Sequence, residues 1–406
     1  MNVLMLCTES PTRIWGGRGT WIRHAPLELT KRGVGIHLVT WETETKDLPY
    51  RWSIPRSTRV RVWPTDNDEQ KILLTNQARL VRHCVEMWTR GHRWHVIHAH
   101  EWDMVLPALE LRELFGTPVV THYHLFQSQM AREVAGENKP NRDVDQHPCL
   151  AEHCGWVESD AVVVVSDNMR SWASEAWGNR DCDVVHNAVE FSSVKGDAVH
   201  RGPKPVILYC GRLAEQKGIN HFLDAAMLED RYQWVVMGKT AAMNTEDAER
   251  TPWMRRIRAL EKLPQFRYVG HLEGKDRNDW FASADVVVMP SEHEPFGIVA
   301  LEAQAAGAVL VHTNVNGLRE FTSPDNSIEC EPNGRSIIAS VNRAIIEREE
   351  SARLVRNAME NSKRYTWAGV ADRIESVYSR VMNQTSLCGS TFTHVPARAA
   401  CTEGKL

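Results

Sequence analysis

The chain has 406 residues, of which 42% are hydrophobic and 25% charged, with a formal net charge of −4. That length predicts two or three domains around a sizeable core, and the apolar fraction is that of a soluble globular protein. The slightly acidic balance argues against nucleic acid as the main partner, and no run of about eighteen apolar residues predicts a membrane span. The opening Met1-Asn2-Val3-Leu4-Met5-Leu6-Cys7 enters a strand pattern with no basic leader, so no signal peptide is expected. Nine cysteines without repeating spacing read as reduced thiols, mostly core, which fits a cytoplasmic protein.

Strand-like and helix-like runs then alternate. Strands are expected at 3–7, 36–40, 96–99, 118–122 and 161–165. Helical patterns separate them, for example 20–32, ended by Gly33, and 71–89. This βα repetition predicts a parallel sheet with helices on both faces. The alternating run Arg59-Val60-Arg61-Val62-Trp63 reads as an edge strand. Over 71–90, Arg79, Arg82 and Arg90 interleave with Leu80, Val81, Cys84 and Trp88. A core-facing helix with a solvated basic face is preferred to a membrane-surface helix, and no membrane contact is expected. Residues 191–205, with Gly196, Gly202, Pro203 and Pro205, read as a linker.

A second alternation follows, with strands at 206–210, 234–237, 267–269, 285–289 and 309–311 and helices at 218–227 and through Lys262. The expected fold class is therefore α/β, two doubly wound domains at 1–192 and 203–365. A ligand is expected in the cleft between them, at the carboxyl ends of both sheets. After Glu331 the pattern is helical over 335–346, 351–364 and 366–382, and 383–406, poor in large apolar residues, reads as a disordered tail.

Several stretches carry possible chemistry. Gly16-Gly17-Arg18-Gly19 follows the first strand and precedes a helix, a candidate phosphate cradle. A dinucleotide fold is its rival, with Glu42 or Glu44 as the ribose-binding acid. The third glycine is missing, however, and the loop from Cys7 to Gly16 is long for such a turn. Gly238-Lys239-Thr240 fails as a Walker loop because Gln233 stands where a glycine is needed. His98 and His100 share one strand face and are read as hydrogen-bonded structure in preference to a metal site. His147, Cys149, His153 and Cys154 fit no standard zinc spacing. His124 lies just past a strand end, where an imidazole or its carbonyl can support developing positive charge or orient a hydroxyl; a core or surface histidine is the plainer alternative. Asn187 is read as a turn residue. Between Gly211 and Gly218, Arg212 and Lys217 place two cations on a strand-to-helix loop, suited to a diphosphate.

The densest stretch is Met289 to Gly307, read as strand end, polar loop, helix. A helix beginning near Phe296, Gly297 and Ile298 leaves backbone N–H groups without intrahelical acceptors, at the positive end of its dipole, so a phosphate is a natural guest. Glu302 lies about 7 Å further along the helix axis, within reach of a ribose attached to that phosphate. Glu294 faces whatever lies beyond it.

Glu294-Pro295-Phe296-Gly297 followed by Glu302 and an Ala-x-Ala-x-Gly run resembles the E-x7-E signature of retaining glycosyltransferases of family 4, shared with the glycogen synthase-like branch. Gly211-Arg212-Leu213 through Lys217-Gly218 is similar to that family's G-R-L-x-x-x-K-G motif, and His98-Ala99-His100-Glu101-Trp102 to its H-x-H-D-W turn, with Glu101 replacing the usual Asp. The resemblance spans nearly 1–382. It implies the GT-B fold, two Rossmann-like domains facing across a cleft, with the helix at 366–382 crossing back onto the first. It further implies that Gly16, Gly17, Arg212, Lys217 and the turn Phe296–Ile298 hold a donor diphosphate, Glu302 the ribose, and Glu294 the sugar, with His124 beside the anomeric carbon. A strand end near 267–271 would meet the base. The expected partners are a nucleotide diphosphate sugar, such as a UDP-sugar with a hexosyl or N-acetylhexosaminyl group, and a small polar acceptor. No cofactor and no metal are expected, since two side-chain cations can do the work of a divalent ion. The acidic stretch Glu133 to Asp160 suggests a cationic acceptor, such as an aminocyclitol or amino sugar. Glucan extension, a nucleotide-sugar epimerase and a non-catalytic sensor are the alternatives.

Overall fold

The computed structural model describes residues 1–12, 16–41, 48–53, 68–135, 146–190, 196–240 and 249–388. Two parallel sheets organise them. The first contains β1 (Asn2–Leu6), β2 (Gly35–Val39), β3 (Arg51–Ser53), β4 (Val96–His100), β5 (Val119–Tyr123), β6 (Ala161–Val164) and β7 (Asp183–Val184), in the order β3-β2-β1-β4-β5-β6-β7. The second contains β8 (Val206–Cys210), β9 (Gln233–Met237), β10 (Phe266–Gly270), β11 (Val286–Met289), β12 (Val309–His312) and β13 (Ile328–Glu329), in the order β10-β9-β8-β11-β12-β13. In each sheet the chain reverses its direction of winding, between β1 and β4 and between β8 and β11. Those switch points open a crevice at the carboxyl ends of the strands.

The sequence explains the layering. β4, β5, β8 and β11 are buried along their whole length, the pattern of parallel strands covered on both faces. On one face of the first sheet the helix Gly17–Lys31 packs Trp21, Ile22, Ala25 and Leu29 beside Val370, Ile374, Val377, Tyr378 and Val381 of the final helix, Trp367–Cys388. The final helix thus covers the first sheet although it follows the second in the chain. On the other face Leu80, Cys84 and Met87 of the helix Asp68–Thr89 meet Leu4, Leu6 and Ile97. This helix is core-facing, and Arg82 is exposed on its outer side.

The structure departs from expectation at the shortest strands and at the end of the chain, and two expected stretches lie wholly or partly outside the described residues. The edge position beside β2 is taken by β3, while the run 59–63 lies outside the described residues. β7 and β13 are two-residue strands, too short to leave a periodic signal. Residues 383–388, expected in a disordered tail, continue the final helix. Asn383-Gln384-Thr385-Ser386-Leu387-Cys388 contains no helix breaker, and the first glycine after Met382 is Gly389. The linker expected at 191–205 is described only from Gly196 onwards.

Candidate functional site

A cavity of about 850 Å³ lies between the two sheets, where β1, β4 and β5 end on one side and β8 to β11 on the other. Its walls include Gly16, Gly17, His124, Arg212, Lys217, Glu294, Phe296, Gly297, Ile298 and Glu302, so the ten residues singled out from the sequence converge.

The second-sheet wall is built by two loops locked together. Gly218 has φ +64°, and a Cβ there would lie 1.7 Å from the carbonyl oxygen of Pro290. Only glycine permits that approach. The Gln216 carbonyl accepts hydrogen bonds from the backbone N–H groups of Glu292 (3.0 Å) and His293 (3.1 Å). The loop carrying Arg212 and Lys217 is thereby fixed against the loop that leads into the helix Ile298–Ala306. No side chain caps that helix, and its cap residue Gly297 has φ +103°. Its free N–H groups and positive dipole end open towards the cavity. A Cβ on Gly17 would touch the Ile298 Cδ1 at 3.4 Å, so the glycine loop of the first sheet closes over the helix tip.

Two ion pairs form within this wall. Lys217 Nζ donates to Glu294 Oε2 at 2.7 Å, and burial pulls the ammonium below its ordinary pKa against the opposing pull of Glu294. Glu302 accepts from Arg277 Nη2 at 2.5 Å. Arg277 stacks over Phe281, 4.7 Å from the ring centre. Arg212 is exposed at the cavity wall and, among the described residues, its guanidinium makes no hydrogen bond or ion pair. His271, Glu273 and Gly274, just beyond β10, and Gly238, just beyond β9, complete this wall.

The first-sheet wall carries a second charge cluster. Arg18 pairs with Glu9 (2.9 Å) and Asp103 (3.1 Å). Glu101 adopts φ +71° at the end of β4, an uncommon conformation for a residue with a side chain. Its Oε1 accepts from the backbone N–H of His124 at 2.8 Å. Burial pushes the Glu101 carboxyl up to about 8, opposed by Arg18. His124 is buried, with Nε2 3.1 Å from Nδ1 of His100. Asn187, read as a turn residue, lines the cavity with its Oδ1 buried and unpartnered among the described residues.

Some expected contributors do not reach this cavity. Of the acids between Glu133 and Asp160, the described ones are engaged elsewhere. Glu133 binds His293 (2.5 Å) and Asn316 (3.0 Å) across the cleft. Glu152 is buried and accepts from Gln127 and Ser128. Asp160 accepts from the backbone N–H of Val119. Glu137, Asp143 and Asp145 lie outside the described residues, as do Glu42 and Glu44. Glu9 and Asp103 line the cavity but are paired with Arg18, and burial favours the protonated form of Glu101, so these three acids present no unpaired negative charge to a cationic acceptor. His147, Cys149, His153 and Cys154 lie on one helix, Gln146–Glu158, and do not converge on a common point. Cys7, Cys84, Cys149, Cys154, Cys182, Cys210 and Cys330 are free thiols. No helix among the described residues is long and apolar enough to cross a membrane.

Sequence reading missed Arg277 and Asp103, and it named Arg18 and Glu101 only as members of motifs and gave them no role at the cavity. Arg277 sits at helical spacing in Gly274–Ser283, and only the fold brings it to Glu302. Glu101 did carry a signal, because it replaces the aspartate of the resembled turn.

The geometry can be set beside known proteins. Residues 16–188 match the family model for a glycosyl transferase 4-like domain, and 193–361 that for glycosyl transferases group 1. The glycogen synthase of Mycobacterium tuberculosis is 25% identical over 93% of this chain and 94% of its own length. The D-inositol 3-phosphate glycosyltransferase of Corynebacterium diphtheriae is 26% identical over 89% of each chain. Among solved structures, Anabaena HepE in complex with UDP-glucose superposes with a TM-score of 0.71 at 17% identity, covering 94% of this chain and 100% of that one. The two family models lie end to end and span most of the chain. The chain belongs to the GT-B glycosyltransferases, of the family 4 and group 1 type.

Proposed function

We propose that the chain transfers a sugar from a nucleotide diphosphate sugar to a hydroxyl of a small polar acceptor, with retention of configuration at the anomeric carbon. The observation that carries this reading is the meeting of Arg212, Lys217 and the uncapped helix tip at Gly297 and Ile298 in one cavity, with Glu302 one turn further along. A diphosphate there is met by two cations and a helix dipole. Glu302, held by Arg277, accepts from the ribose. Glu294 accepts from the sugar hydroxyls, and His124 stands beside the anomeric carbon. The similarity to HepE, whose complex holds UDP-glucose, supports the donor class.

In the proposed step the bond from the anomeric carbon to the diphosphate oxygen breaks and its electrons leave with the diphosphate. The acceptor oxygen bonds to the same face of that carbon, and its proton passes to a phosphate oxygen. Arg212 and Lys217 stabilise the charge that develops on the leaving group, so the reaction needs no divalent ion. The acceptor lies against the first-sheet wall, near Glu9, Arg18, Arg23 and Trp102. A glucan acceptor is the second reading, favoured by the similarity to glycogen synthase.

The test is incubation with UDP-, GDP- and ADP-glucose, each with inositol phosphates, amino sugars or a glycogen primer, followed by NMR of the product's anomeric proton. A product with the donor's anomeric configuration, formed equally well in EDTA, is expected. An inverted product contradicts retention. A changed sugar without acceptor identifies an epimerase, and unconsumed donor that nonetheless binds identifies a sensor. Elongation of the primer alone selects the second reading.

A further inference from the structure

Beneath the first-sheet wall lies a group of side chains that the proposed transfer does not use. His98 and His100 on β4 and His122 on β5 are each 0% exposed. Alternate residues of a strand share a face, and His100 is the register partner of His122, so the three imidazoles gather on one side of the sheet. Their ring centres lie 4.2 to 5.5 Å apart, with Trp21 packed over all three.

Their hydrogen bonds use only some of the ring nitrogens. His98 Nδ1 meets the Tyr378 hydroxyl at 2.6 Å, and His100 Nδ1 meets His124 Nε2 at 3.1 Å. The Nε2 atoms of His98 and His100, and both ring nitrogens of His122, are buried and without a hydrogen-bond partner among the described residues. A buried polar atom left so is costly, and native structures rarely leave several side by side. One nitrogen from each of the three rings lies within 4.8 Å of the others. If His98 and His100 donate from Nδ1 to Tyr378 and His124, both Nε2 lone pairs are left free to bind a metal. Fixing the far nitrogen of a ligating imidazole by such a bond is the usual support of a metal ligand. Burial also holds these rings neutral, the form that binds metal.

We propose that His98, His100 and His122 form a three-imidazole site for one borderline divalent ion of the zinc class, separate from the diphosphate site and joining β4 to β5 beneath the cavity wall. Three nitrogen donors with no thiolate suit Zn²⁺, with Ni²⁺ and Cu²⁺ as competitors. Nitrogens about 2.0–2.1 Å from a tetrahedral ion lie about 3.3 Å apart, so the three rings draw together on binding to meet that spacing. A water takes the fourth position. The way in passes His124, which lines the cavity and stacks on His122 with ring centres 4.3 Å apart. The role is structural and does not depend on the glycosyltransferase reading.

The test uses the full chain without a histidine tag, stripped of metal, mixed with Zn²⁺ and passed through gel filtration. Metal analysis should find one tightly held ion per chain, with Tm raised by roughly 5 °C. His122→Asn should lose at least nine-tenths of that ion, while His147→Asn keeps it. The stripped wild-type chain loaded with Co²⁺ should show the intense visible bands of tetrahedral, nitrogen-bound cobalt, which decides the matter should a variant fail to fold. No ion retained by the wild type, equal retention by His122→Asn, or cobalt bands of an octahedral surface site would each overturn the proposal.

Discussion

At the scale of single residues, the pairings Lys217–Glu294 and Glu302–Arg277 set the expectations. On the proposed reading Glu302→Ala removes the acceptor of the ribose hydroxyls, and it leaves the half-buried Arg277 without its carboxylate partner. A charged hydrogen bond is worth about 1.5–3 kcal/mol, so donor affinity by calorimetry should fall roughly ten- to a hundredfold. Glu294→Ala should lower kcat at least tenfold while donor Kd moves less than threefold. Unchanged affinity and rate in both variants would show that the donor sits elsewhere. Both glutamates were legible in the sequence, because their spacing across a strand-loop-helix needs no long-range information. Arg277 was not, since its partner lies 25 residues away and the contact exists only once β8 and β11 are side by side. Asn187 was read as a turn residue because nothing local shows that its turn faces the cavity.

At the scale of elements, the second-sheet wall depends on Gly218. Gly218→Ala forces a side chain into φ +64° and onto the Pro290 carbonyl. The variant should lose at least about 2 kcal/mol of stability, read from the urea midpoint, and bind donor more weakly. A neutral substitution would mean that the two loops are not locked. In the first domain, Glu152 caps the helix Gln127–Ala135 from outside, accepting from the backbone N–H groups of Gln127 and Ser128. Burial nevertheless raises its pKa from 4.5 to about 7, outweighing those donors. Between those values the folded chain holds a proton that the unfolded chain releases, so stability falls as pH rises through that window, by about 3 kcal/mol in all. Glu152→Gln should flatten that part of the stability curve, and an unchanged slope would assign it to other groups. The acids of this stretch were countable in the sequence. That Glu152 points into the protein was not, because its helix was described by charge and not by its buried face.

At the scale of the whole molecule, the two sheets and their parallel order were legible, because buried parallel strands are continuous apolar runs separated by helices. How tightly the halves close was not legible. Glu133 reaches across to His293 and Asn316, and Glu320 meets Asn168 and His186, so a polar latch spans the cleft beside the cavity. Glu133→Ala should open the halves, seen as a larger radius of gyration in X-ray scattering, with donor affinity reduced roughly three- to tenfold, as for a cross-cleft contact of about 1 kcal/mol. Unchanged scattering and affinity would make the latch incidental. The most direct test of the central claim is calorimetric titration of the chain with nucleoside diphosphates and the matching nucleosides, for the wild type and for Arg212→Ala and Lys217→Ala. The account predicts that one diphosphate binds at least about a hundredfold more tightly than its nucleoside, and that each substitution removes about tenfold or more of that advantage. Equal affinity for diphosphate and nucleoside, or a diphosphate preference untouched by both substitutions, would contradict it.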